Sequence, residues 1–83
     1  MKLLYFAWVR EKIGRGEEDL NPPADVRDVA ALLDWLRARG PEYIAALDDA
    51  ARIRVAVNQQ HAALDAPVSA GDEVAIFPPV TGG

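Results

Sequence analysis

The chain has 83 residues, of which 51% are apolar and 27% charged, with no cysteine, one histidine and a formal net charge of -4. A chain of that length forms one domain that must fold without disulfide staples, and it has no thiols for redox centres, zinc fingers or nucleophilic catalysis. The excess of 13 Asp and Glu over 9 Lys and Arg argues against a nucleic-acid partner. No apolar run reaches the roughly 18 residues of a membrane helix and no signal-peptide pattern opens the chain, so no membrane partner and a cytoplasmic setting are expected.

Leu3 to Val9 is apolar, aromatic and β-branched without Gly or Pro, which predicts a strand apolar on both faces. Leu3, Tyr5, Ala7 and Val9 would share one face, and Lys2, Leu4, Phe6 and Trp8 the other. Arg10 to Ile13 is a polar interruption, and Gly14-Arg15-Gly16 lets the chain reverse into a second strand over Glu17 to Asn21, a long hairpin. Pro22 and Pro23 stop that strand. Asp25, with Asp28 three residues on, has the pattern of a helix N-cap followed by an acid in the first turn. A helix is predicted over 25–39, since Val29, Leu32, Leu33 and Leu36 recur at helical spacing, Gly40 supplies a C′ residue and Pro41 forbids continuation. A shorter helical piece is expected over 43–51, with Ile44 and Leu47 inward.

Ile53, Val55 and Val57 alternate with Arg54, Ala56 and Asn58, so a half-buried strand runs to a turn at Asn58-Gln59-Gln60 and a short return strand over His61 to Leu64. Asp65-Ala66-Pro67 and Ala70-Gly71-Asp72 bracket a compact connection to a last strand, Glu73 to Phe77. Pro78 and Pro79 end it, because neither has an N–H for a sheet ladder. The order predicts an α+β domain over 1–77: a mixed sheet of four to five strands packed on one main helix. The strand after the helix crossover is expected to lie parallel to the first.

Residues 78–83 then form a flexible tail, Pro78-Pro79-Val80-Thr81-Gly82-Gly83. Two prolines hold its base extended, so six residues at up to about 3.5 Å each project roughly 20 Å from the sheet. Gly82 and Gly83 leave a carboxylate on a backbone without Cβ atoms, slim enough to thread a narrow tunnel in another protein. The dipeptide alone is equally compatible with an ordinary frayed end, whereas its setting behind two prolines and a strand favours a substrate-like tail.

The run Asp72-Glu73-Val74-Ala75-Ile76-Phe77-Pro78-Pro79-Val80-Thr81-Gly82-Gly83, with Phe6-Ala7-Trp8-Val9-Arg10-Glu11 and Val57-Asn58-Gln59, closely resembles the sulfur-carrier (small) subunits of molybdopterin synthase, part of the ubiquitin-like sulfur-carrier family. The likeness covers essentially the whole chain and implies a β-grasp (ubiquitin-like) fold. It also implies chemistry at Gly83. The carboxylate would be adenylated with ATP by a partner resembling ubiquitin-activating enzymes, then converted to a thiocarboxylate with sulfur from a donor. The carrier would dock on the large synthase subunit and give its sulfur to cyclic pyranopterin monophosphate, two transfers building the dithiolene that later holds molybdenum. An unactivated carboxylate is a poor electrophile, so an acyl-phosphate anhydride must supply the leaving group. With no side-chain thiol, sulfur would travel on the C-terminus.

By the same resemblance the catalytic site is expected on the large subunit, ATP on the activating partner, no cofactor on this chain, and an assembly of two small and two large subunits. A terminal Gly-Gly is shared by ubiquitin and the thiamine-pathway carrier. Carriers for thiazole, tRNA thiolation or sulfur-amino-acid synthesis, and ubiquitin-like protein modifiers, therefore stand as alternatives.

If Val55, Val57, Val74 and Ile76 join Leu3 and Tyr5 over the helix, then Leu4, Phe6, Trp8, Ala56 and Phe77 share the opposite face. Such an apolar patch is expected to dock the partner, with Phe77 beside the tail as first anchor. His61 stands without another imidazole or thiol, which predicts a surface or interface residue rather than a metal ligand or base. In the resembled family that place tends to be apolar, so the histidine is a departure. Arg10 is an ion-pair or partner-contact candidate. Glu17-Glu18-Asp19 and Asp48-Asp49 read as solvated acidic runs able to steer docking. Gly14-Arg15-Gly16 lacks the length and the Lys-Ser/Thr ending of a phosphate-binding loop.

Overall fold

The computed structural model describes residues 1–79. Strand β1 spans only Lys2–Tyr5, because the chain turns sharply at Phe6-Ala7, where Ala7 has φ 53°, and enters helix α1, Ala7–Ile13. The expected long strand to Val9 is therefore part strand and part helix. Val9 and Ile13, four residues apart, are both buried, and Gly14 (φ 91°) closes the helix in the left-handed conformation by donating its N–H to the Arg10 carbonyl at 2.8 Å. Strand β2, Glu17–Asp19, then pairs antiparallel to β1 with Leu3 opposite Glu18, so a helix replaces the turn of the expected hairpin.

Helix α2 runs Val29–Arg37 rather than 25–39, and its cap is Asp28, not Asp25: the Asp28 carboxylate accepts the Ala31 N–H at 2.8 Å. Two further N–H groups of its first turn, those of Val29 and Ala30, reach the carbonyls of Ala66 and Leu64 at 3.0 and 2.8 Å. The loop before β5 thus satisfies donors that a helix start leaves open. The stripe of Val29, Leu32, Leu33 and Leu36 is buried as expected. Gly40, however, precedes helix α3, Pro41–Leu47, where a proline at the first position sacrifices no helical hydrogen bond. Tyr43, Ala46 and Leu47 face the core, Ile44 is 50% exposed, and a separate 3₁₀ turn follows at Ala50–Arg52. Arg37 ties α2 to α3 through its Nε, which donates to the Leu47 carbonyl at 2.7 Å.

Strands β3 (Arg54–Val57), β4 (Gln60–Ala62) and β5 (Glu73–Phe77) complete a five-stranded mixed sheet in the order β2-β1-β5-β3-β4. The parallel partner of β1 is the last strand, β5, whereas β3 is antiparallel to β5, opposite to the expected placement of the strand after the helix crossover. Asn58 and Gln59, both with positive φ (50° and 69°), make the two-residue β3–β4 turn whose twist suits a hairpin. The Asn58 side chain then clasps the start of β5: its amide donates to Asp72 at 3.0 Å and its oxygen accepts the Glu73 N–H at 3.1 Å. The helices and the inner face of the sheet, with Leu3, Tyr5, Val55, Val74 and Ile76, share one apolar core. This is the α+β, β-grasp arrangement, with three α-helices among the described residues where one main helix and a shorter piece were expected.

Glu18 departs from the solvated acidic run. It points inward from the edge strand, its side chain 5% exposed, and accepts the Tyr5 and Tyr43 hydroxyls at 2.8 and 2.7 Å, with Arg15 at 3.1 Å and Arg39 at 3.5 Å. Burial, then the hydrogen bond to Glu18, push the Tyr5 hydroxyl well above its ordinary pKa of 10.0, and Tyr43 is raised for the same two reasons. The folded state therefore holds these protons more firmly than the unfolded chain, so their contribution to stability is complete below about pH 10 and is lost as pH rises beyond it. Urea unfolding as a function of pH should show stability declining above about pH 10, with a shallower decline in Tyr5→Phe. Glu18→Ala should cost about 1–3 kcal/mol for each hydroxyl left without its acceptor. An unchanged midpoint at neutral pH would show that water replaces the carboxylate without penalty.

Candidate functional site

The sheet register builds the outer face in rows. One row runs Glu17, Leu4, Ala75, Ala56 and His61 across all five strands; the row beside it is Asp19, Lys2, Glu73 and the turn residue Asn58. Toward the other end, Phe77 pairs with Arg54. The two alanines leave a low centre between Leu4, Phe77 and His61. Ala56 is only 9% exposed because a short side chain is sheltered by taller neighbours. His61 meets the Phe77 ring edge-on at 5.8 Å between centroids, so the histidine braces the anchor instead of standing alone. Phe6 is 48% exposed at the start of α1, and its N–H donates to the Ile76 carbonyl at 3.1 Å, extending the β5 ladder to the last residue before the bend.

Of the expected docking residues, the structure thus gathers Leu4, Ala56, His61 and Phe77 on one face with Phe6 at its margin. Trp8 is elsewhere. It belongs to α1 and walls a cleft of about 270 Å³ with Ala51, Arg52, Pro78 and Pro79, at the point where the tail leaves β5. Lys12 Nζ and the Arg52 guanidinium lie 5.3 and 5.5 Å from the centre of the Trp8 ring. Lys12 and Arg52 were invisible as site residues in the sequence. The four-residue step from Trp8 to Lys12 would have paired them had the helix been read, but no local signal links Arg52 to either. Pro78 and Pro79 are half-buried in this cleft, while Val80, Thr81, Gly82 and Gly83 lie outside the described residues.

Among the described residues no group of three His, Cys, Asp or Glu side chains could hold a metal ion, and no helix is long and apolar enough to cross a membrane. What the geometry offers is an outer sheet face with an apolar centre and, at one end, a cleft from which Pro78 and Pro79 leave β5. The ThiS family profile matches residues 3–83. The chain belongs to the ThiS family. The molybdopterin synthase sulfur carrier subunit of Escherichia coli is 42% identical over 83 residues, covering 100% of this chain and 99% of that protein. Its counterpart of the same description in Haemophilus influenzae is 37% identical with the same coverage. Among solved structures, SAMP1 from Haloferax volcanii superposes with a TM-score of 0.69 at 29% identity, covering 100% of this chain and 98% of that one. Subunit 1 or 2 of the Helicobacter pylori molybdopterin-converting factor complex, at 19% identity and a TM-score of 0.66 over 99% of this chain and 96% of that one, shares the fold.

Phe77 and Ile76 are neighbours on β5 that face opposite sides, one half-buried on the outer face and one at 0% exposure in the core. Phe77→Asp should keep the native circular dichroism and change unfolding stability by about 1 kcal/mol or less, whereas Ile76→Asp should unfold the domain, since it buries an unpaired charge. Equal damage from both would mean that Phe77 belongs to the core.

Proposed function

We propose that this ThiS-family chain is a molybdopterin synthase sulfur carrier whose chemistry takes place at the Gly83 carboxylate. A partner resembling ubiquitin-activating enzymes joins that carboxylate to the AMP portion of ATP, releasing pyrophosphate. A sulfur donor then displaces AMP and leaves a thiocarboxylate, which passes its sulfur to cyclic pyranopterin monophosphate on the large synthase subunit. The observation that carries this reading is the end-to-end likeness, at 42% identity, to the Escherichia coli molybdopterin synthase sulfur carrier subunit. The geometry supports it, because β5 is bonded to a neighbour on each side and hands its direction to two prolines. Strain on a tail held in a partner's tunnel is therefore borne by the sheet. The outer face, centred on Ala75 and Ala56 and flanked by Leu4, Phe77 and His61, is the surface proposed to meet the large subunit. Activation consumes ATP, which favours a cytoplasmic setting. The chain itself is proposed to bind neither ATP nor a metal.

A second reading, a ubiquitin-like protein modifier, draws support from the likeness to SAMP1, a small archaeal modifier protein. It predicts branched peptides in which this tail is joined to lysines of other proteins.

Top-down mass spectrometry of the protein recovered from its own cells should locate an oxygen-for-sulfur exchange at Gly83, with the large subunit copurifying. Deletion of Gly82 and Gly83 should abolish that exchange and leave the fold unharmed. A bare carboxylate in every pool, even with the sulfur-accepting step blocked, would sink the carrier reading. Phe77→Asp should weaken binding to the large subunit at least ~30-fold, the loss of a central anchor worth about 2 kcal/mol.

A further inference from the structure

We propose that the cleft at the base of the tail is a second, electrostatic half of the docking surface, which seats a carboxylate-bearing rim around the entrance of the protein pocket that receives the tail. The inference rests on the sulfur-carrier reading, in which the tail enters such a pocket. Two cations from separate stretches of chain converge there, with a third beside them. Lys12 and Arg52 lie over Trp8, which itself walls the cleft with Pro78 and Pro79. Arg54 folds back along the 3₁₀ turn, its Nη1 donating to the carbonyls of Ala51, a residue of the cleft wall, at 3.3 Å and of Ile53 at 2.9 Å, so it stands beside the cleft and not in it. Among the described residues none of these three forms an ion pair, nor do Arg10 and Arg27, whereas Lys2, Arg15, Arg37 and Arg39 do. Asp49, the nearest acid along the chain to Arg52 on that turn, makes no ion pair with it, and its carboxylate accepts the Ala51 N–H at 3.0 Å.

This positive charge sits on a chain of net charge -4, whose outer face carries Glu17, Asp19 and Glu73 against Lys2 at the end away from the tail, a net negative end. The face is therefore polarised along β5, positive where the tail leaves and negative behind it. Carboxylates complementary to Lys12, Arg52 and Arg54 would orient the tail toward its pocket before the apolar centre makes contact, raising the encounter rate and selecting the correct end. Nucleotide phosphate does not account for the cluster. The six residues from Pro78 to Gly83 put the reacting carboxylate up to roughly 20 Å away when the tail is extended, beyond the reach of side chains fixed at its base.

The test is the association rate of this chain with its large synthase subunit, measured by stopped flow between about 0.05 and 0.5 M NaCl, a range over which the screening length falls several-fold. For the native chain the rate should drop about tenfold or more across that range. The triple variant Lys12→Glu, Arg52→Glu, Arg54→Glu, confirmed folded by circular dichroism, should bind at least about tenfold more slowly at low salt and lose or invert the salt slope. Charge-preserving Lys12→Arg, Arg52→Lys, Arg54→Lys should keep both. Unchanged rate and slope in the folded triple reversal would overturn this inference and leave the carrier reading intact. Failure of the native chain to bind the large subunit at any salt would overturn the carrier reading and this inference with it. A Trp8 fluorescence change on adding ATP alone, absent in Trp8→Phe, would reassign the cleft to a nucleotide and likewise overturn the proposal.

Discussion

The parallel pairing of β1 with β5, Lys2 through Tyr5 against Glu73 through Ile76, is the constraint on which the rest of the structure depends. Parallel strands end at the same edge of a sheet, so the helix that follows β1 and the tail that follows β5 begin side by side. That alone brings Trp8 and Lys12 of α1 to Pro78 and Pro79, from opposite ends of the chain. The pairing also places β5 in the interior of the sheet, between β1 and β3, where Val74 and Ile76 are fully covered by the helices. The segment that begins at Pro78 thus issues from one of the best-anchored strands, not from an edge.

The two faces of that sheet solve different problems. The inner face buries apolar side chains, and its one carboxylate, Glu18, is surrounded by two tyrosine hydroxyls and two arginines, which offset the cost of removing it from water. This links edge strand β2 to α3 and to the last residue of β1. The outer face remains open and apolar only in its middle. Its edge strands present Glu17 and Asp19 on one side and His61 on the other, short and polar stretches that discourage indiscriminate strand addition. The apolar centre is then free for a partner, with Phe77 held in place by the edge of His61.

Much of this was legible in the residues. The stripe Val29, Leu32, Leu33 and Leu36, the alternation through Val55 and Val57 and through Val74 and Ile76, and the prolines after Phe77 each reflect a local rule of period or backbone chemistry that tertiary contacts did not override. The stretch from Leu3 to Val9 misled because a short, wholly apolar run carries no period. Strand and buried helix look alike there, and only the bend at Ala7 separates them. Asp25 and Asp28 were equally good caps by type, and the choice fell to Asp28 because the loop carrying Leu64 and Ala66 meets the helix one residue beyond it.

The sequence by itself determined the α+β composition, the identity of most core residues, and the Pro-Pro-Val-Thr-Gly-Gly segment on which the proposed function turns, because these depend on side-chain chemistry and on neighbours within a few positions. Tertiary structure decided which strand lies parallel to β1, that Glu18 is buried among tyrosines, and that Lys12 and Arg52 meet over Trp8 at the root of the tail. Those outcomes join residues far apart in the chain, and their free energy comes from shared burial and closure of the sheet, which no local pattern encodes.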